Sequence, residues 1–327
     1  MDQQKETEEN VKELGTKNNV SLISSGQFAY VANFGSNNVS VINTASNTVV
    51  ASIPVGLSPR GIAITPNGQF AYVANFGSNN VSVINTALNT LIASIPVGLS
   101  PRGIAITPNG QFAYVANSGS NNVSVINTAS NTVVATISVG ISPQDIAITP
   151  NGQFAYVANY TGLTPGDPAT VSVINTASNI VFATIPVELG PTGIAITPNG
   201  QFAYVANSLS FTSNAVSVIN TASNTVVATI PILLFPSDVA ITPNGQFAYV
   251  TQSLPPAVSV INTASNIVFA TIPVRSDPTS VAIRPDGAFA YVTNTTTNDV
   301  SVINIATNTV VATIPVGVLP MSIAILP

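Results

Sequence analysis

Eleven charged side chains follow residue 17, and they are the scarce residues with which this chain could do chemistry. They are Arg60, Arg102, Arg275 and Arg284 against Asp145, Asp167, Glu188, Asp238, Asp277, Asp286 and Asp299. Histidine, cysteine and tryptophan are absent, so the chain has no imidazole base and no thiolate, and lacks the commonest metal ligand. Serine and threonine hydroxyls are plentiful, but a hydrolase needs a positioned base beside its nucleophile, and Glu188 is the only glutamate after residue 17. Asp145 and Asp238, facing each other across a channel, could form an oxygen-only site of the kind that suits Ca²⁺ or Mg²⁺. Acids at the start of a strand also cap the local backbone, so no metal site is assigned. Haem and quinone cofactors find no histidine ligand, and no cofactor is expected.

Of the 327 residues 46% are hydrophobic and 6% charged, with a net charge of −5. Nothing in the chain is basic enough to track phosphates, which argues against nucleic acid. Residues 1–17 are read as a polar, disordered tail and residues 18–327 as one domain. The charged start, Met1-Asp2-Gln3-Gln4-Lys5-Glu6, is followed by no apolar stretch of the signal-peptide type. The longest apolar runs are strand-sized, so no membrane span is expected.

What must position these side chains is a repeat. The tripeptide Ala-Tyr-Val recurs with its tyrosine at Tyr30, Tyr72, Tyr114, Tyr156, Tyr204, Tyr249 and Tyr291. A period of about 40 to 50 residues fits one four-stranded propeller blade. In one unit, Gly61–Thr65 and Gln69–Asn75 flank Pro66-Asn67-Gly68, and Asn-Gly is a strong hairpin signal because both residues tolerate positive φ. Val81–Asn85 and Thr90–Val97 supply two further strands. The fold class is therefore all-β: a seven-bladed β-propeller of four-stranded antiparallel blades. Ser322-Ile323-Ala324-Ile325 repeats the first strand of a unit with nothing after it, so the C-terminal strand is expected to complete the first blade and close the ring. Residues 20–24 are the alternative for that place.

Ala-Tyr-Val-Ala-Asn stands in five copies, with Tyr291-Val292-Thr293-Asn294 in the seventh. With these motifs, residues 18–327 resemble the YVTN family of β-propeller repeats. The resemblance implies a cell-surface or surface-layer component, and broader relatives include cofactor-binding and lactone-hydrolysing propellers. This chain departs from the family's look by carrying Asn where Asp is common, as in Pro66-Asn67-Gly68, which weakens any acid-dependent activity carried over from it.

Nine of the eleven charges fall on one face of the ring, in the loops between second and third strands or in the connections between blades. Arg60, Arg102, Asp145, Glu188, Asp238, Arg275 and Asp277 lie in those connections and would rim the channel mouth, with Tyr160, Phe211, Phe235, Leu233 and Leu234 adding apolar surface. Loops vary and carry charge for bland reasons too. As a recognition face, this set describes a monomeric, non-enzymatic scaffold binding a protein or a cell-surface glycan, with a hydrolase- or lactonase-like site at the channel mouth as the alternative.

Overall fold

The computed structural model describes residues 27–160, 169–210 and 213–327. The expected tail at 1–17, the alternative closing strand at 20–24, Asp167 and Phe211 lie outside the described residues.

Pro59–Ile64, Phe70–Asn75, Asn80–Asn85 and Thr90–Pro96 form one antiparallel sheet in chain order, and this is blade 2. Blades 3 to 7 repeat it, with innermost strands starting at Pro101, Pro143, Pro191, Leu234 and Pro278. Blade 1 is assembled from both ends of the chain. Pro320–Ile325 is its innermost strand and pairs antiparallel with Phe28–Asn33, Ile323 opposite Val31, so the C-terminal strand closes the ring as expected.

Blade-to-blade packing explains the composition. The two middle strands are buried almost throughout, because each sheet is sandwiched between two others, so both faces of Tyr72-Val73-Ala74 or Val81-Ser82-Val83 must be small or apolar. One core cluster joins Tyr30, Val39 and Val41 of blade 1 to Ile62, Val73 and Ile84 of blade 2. Another joins Val31 and Ile323 of blade 1 to Tyr291 and Val302 of blade 7. The outermost strands, such as Thr90–Pro96, stand mostly exposed.

The repeated tyrosine has a specific task. Tyr72 donates its hydroxyl to the Asn131 side-chain oxygen of the next blade at 2.8 Å, and Tyr114 does the same to Asn179 at 2.8 Å. Tyr291 of blade 7 reaches Asn47 of blade 1 at 3.1 Å and completes the circle. Each receiving asparagine sits at positive φ, 53° at Asn131 and 56° at Asn179, a conformation that Asn tolerates better than most residues. Burial pushes the tyrosine hydroxyls up, to about 12 at Tyr72 and Tyr114, so they remain donors at any ordinary pH.

The Pro-Asn-Gly turns differ in detail from the expected hairpin. Gly68 N–H closes the turn on Thr65 C=O at 2.7 Å around Pro66 and Asn67, and of the Asn67-Gly68 pair only Gly68 has positive φ, 70°. Asn67 acts through its side-chain oxygen, which accepts from Thr65 Oγ1 at 2.7 Å and from Gln69 N–H at 3.0 Å.

Candidate active site at the channel mouth

The mouth is shaped by a bulge at the start of the innermost strands. Pro59 pairs with Asn75 and Gly61 with Ala74, so Arg60 is the extra residue between them. Gln144 and Thr279 occupy the same bulge in blades 4 and 7. Proline begins each bulge because it has no N–H to give the ladder, and a bulge turns its extra side chain away from the sheet. The bulge residues and their successors line a cavity of about 180 Å³ at the centre of the ring, with Arg60, Arg102, Gln144, Asp145 and Asp238 on its wall.

On the side of blades 2 and 3 the cavity is cationic. The guanidinium carbons of Arg60 and Arg102 lie 5.9 and 5.4 Å from the centre of one ring, Phe76, which in turn packs 6.3 Å from Phe34. Arg102 also donates to Ser118 Oγ at 3.1 Å and to the side-chain oxygen of Gln144. Among the described residues neither arginine has a carboxylate within ion-pair distance. Burial, and then the neighbouring charge of Arg102, lower Arg60 to about 9.

The acids stand on the side of blades 4 to 6. Asp145 Oδ2 accepts from Ile194 N–H of blade 5 at 3.0 Å. Asp238 accepts from Val239 N–H at 2.8 Å, and its other oxygen accepts from Ser280 Oγ at 2.8 Å and Val281 N–H at 3.0 Å, both of blade 7. Each carboxylate thus fastens its own innermost strand to the following one. Glycine makes room: a Cβ on Gly103 would lie 2.6 Å from Asp145 Cα, and one on Gly193 would lie 2.6 Å from Asp238 Cα.

Asp145 is raised to about 7, first by burial and then by the charge of Asp238, against the pull of the Ile194 and Ile146 N–H groups. Burial raises Asp238 too, while Ser280, Val281 and Val239 favour its charged form. With the richer donor set Asp238 ionises first, and its charge keeps the proton on Asp145.

Four of the sequence-derived candidates therefore meet in one cavity: Arg60, Arg102, Asp145 and Asp238. They belong to the innermost strands rather than to the connections, and the two acids sit two blades apart instead of facing each other across the channel. The other candidates among the described residues stay outside. Glu188 is exposed on the connection into blade 5, and Arg275 is paired with Asp299 at 2.9 Å. Asp277, at a φ of 58°, accepts from Ser253 Oγ at 2.8 Å, and Tyr160 and Phe235 are half-buried near the rim. Phe76, Gln144, Gly103, Gly193 and Ser280 were missed. Aligning the units would have exposed the last three, since the position after the bulge reads Gly61, Gly103, Asp145, Gly193, Asp238, Ser280 and Ser322. No group of three or more His, Cys, Asp or Glu side chains able to hold a metal occurs among the described residues. No helix among them is long and apolar enough to cross a membrane.

The chain matches the sequence profile of the family described as lactonase, 7-bladed beta-propeller, over residues 2–91, 62–136, 98–164 and 172–313. It belongs to that family. No curated protein matches it. Among solved structures it is similar to the hydrazine synthase of Kuenenia stuttgartiensis, with 24% identity, a TM-score of 0.75 and coverage of 81% of this chain and 88% of that one. It is also similar to a functionally unknown protein of Desulfotomaculum acetoxidans, at 20% identity, a TM-score of 0.79 and coverage of 93% and 99%. A third is the dihydro-heme d1 dehydrogenase NirN, at 14% identity, a TM-score of 0.68 and coverage of 93% and 76%. At these identities the three structures speak for the fold alone. The family match overturns the expectation of a non-enzymatic scaffold for a protein or glycan: the chain falls in a hydrolase-named family, and the central cavity holds groups suited to acid–base work.

Proposed function

We propose that the channel mouth hydrolyses a lactone. The observation that carries this reading is the meeting in one cavity of a carboxyl group raised to about 7 with two arginines that have no carboxylate partner among the described residues. Ionised Asp145 takes a proton from a water as that water attacks the lactone carbonyl. Arg60 and Arg102 donate to the carbonyl oxygen as negative charge gathers on it, held ready by stacking on Phe76. The tetrahedral intermediate collapses, the ring C–O bond breaks, and protonated Asp145 returns the proton to the departing alkoxide. The product is the hydroxy acid, and one water has been consumed.

Hydrolysis of γ- and δ-lactones, followed by proton release, tests the reading. The rate should rise with pH through about 7, as Asp145 ionises, and fall above about 9, as Arg60 loses its proton. Replacing Asp145 by Asn should lower kcat by about 10²- to 10⁴-fold. Hydrolysis that persists unchanged in Asp145→Asn removes the carboxyl group from the mechanism.

A further inference from the structure

We infer that the substrate is a small lactone ring carrying an alkyl chain, and that the chain lies on a collar of aliphatic side chains around the mouth. This rests on the lactonase reading above. Three residues before the bulge, the connections into blades 2, 3, 4, 5 and 1 present Leu57, Leu99, Ile141, Leu189 and Val318, and the connection into blade 6 presents Leu233. All six are exposed, from 40% at Leu189 and Leu233 to 56% at Leu57.

The backbone fixes where these side chains stand. Gly77 N–H donates to Leu57 C=O at 3.0 Å, and Gly119 N–H to Leu99 C=O at 3.0 Å, which straps each connection to the adjoining turn on the mouth face. The residue after each of them in blades 2 to 4 is a serine at positive φ: Ser58 at 53°, Ser100 at 52° and Ser142 at 47°. The collar is one-sided. On the opposite face the turns read Pro-Asn-Gly-Gln and Asn-Thr-Ala-Ser-Asn, with Leu88 as the exposed large aliphatic there, while the other exposed valines, isoleucines and phenylalanines belong mainly to the outermost strands. Scattered exposed leucines need no explanation, but their recurrence on six of the seven connections does, with Arg275, Ser276 and Asp277 standing on the seventh.

Size points the same way. A cavity of about 180 Å³ compares with the roughly 150 Å³ that holds one benzene ring, so it takes one small ring. Anything attached to the ring must leave through the mouth, where six of the seven connections present an aliphatic side chain. On these six aliphatic positions a hydrocarbon would be removed from water, which a polar substituent would not gain from.

The test is a series of γ-lactones with progressively longer alkyl substituents. For wild type, kcat/KM should climb about two- to fourfold per methylene over the first few, as apolar surface leaves water. In a variant with all six collar residues changed to Ser the climb should flatten while the unsubstituted lactone is hydrolysed as before, and Leu88→Ser on the opposite face should leave the climb intact. A flat series in wild type, or a climb that survives in the collar variant, overturns the inference and leaves the lactonase reading standing. Failure to hydrolyse any lactone overturns the lactonase reading instead. Calorimetry with the corresponding alkyl hydroxy acids then decides the collar: length-dependent binding that is lost in the variant upholds it, and its absence removes it.

Discussion

Asp145 is asked to do two things that conflict. It fastens blade 4 to Ile194 of blade 5, and it sits where burial and Asp238 resist its charge. Its folded pKa is raised above the ordinary carboxylate value, so the proton is held more tightly in the folded chain. The stability this confers is complete below the unfolded value, near 4, and is lost as the pH rises through about 7. Asp145→Asn keeps an oxygen for the Ile194 N–H and removes the charge. Scanning calorimetry should find variant and wild type melting alike at pH 4 and the inactive variant melting higher at pH 8. The acids were legible as candidates in the sequence because charge is so rare after residue 17. Their partners were not, since the Asp145–Ile194 and Asp238–Ser280 bonds depend on how neighbouring blades sit against one another, which no local pattern encodes. The arginines show the same limit: Arg60 and Arg102 could be read as rim charges, but Phe76, the plate on which both stack, lies in what the repeat marks as an ordinary loop.

At the scale of the strand, a proline-led bulge produces the mouth-facing site, and the tyrosine clasp ties neighbouring blades together on the other face. Tyr114→Phe removes the donor to Asn179 and leaves an asparagine oxygen at a strained φ without that bond. The loss should be about 1 kcal/mol, read as a lower denaturation midpoint with an unchanged denaturant slope. Tyr114→Phe should leave lactone hydrolysis alone, because the clasp joins the second strand to the far turn of the next blade rather than to the cavity. The strands themselves were legible from their runs of Val, Ile and Tyr and from the Pro-Asn-Gly stops. The reason for asparagine was only half legible. Its tolerance of positive φ can be read from the residue type, whereas its service as acceptor for a tyrosine 59 to 68 residues earlier, in all pairs but the ring-closing one, required the ring to be built.

For the whole molecule, blade number and closure followed from counting tyrosines and from the unmatched strand at Ser322–Ile325. Deleting residues 318–327 should strip blade 1 of its innermost strand, expose the edge of Phe28–Asn33 and take Ile323 out of the packing against blade 7. Loss of the cooperative melt, with retention of strand content by circular dichroism, is the expected outcome. An unchanged melt would show that the ring does not depend on this strand. The difference between the two faces was legible from where charge falls; what the repeat concealed was that Arg60, Arg102, Asp145 and Asp238 belong to the innermost strands rather than to the connections.

The first blade has a further consequence, in time rather than in space. Phe28–Asn33 is made before the ring's other described strands and waits for its partner, Pro320–Ile325, until all the strands between them have emerged. Blades 2 to 7 can form each in turn as their own strands are made, but the first of the ring's described strands is among the last to be satisfied. A nascent chain stalled anywhere short of residue 320 carries an open sheet edge, the feature by which unfinished β-proteins are prone to aggregate. Emergence of Pro320–Ile325 and burial of that edge are one event.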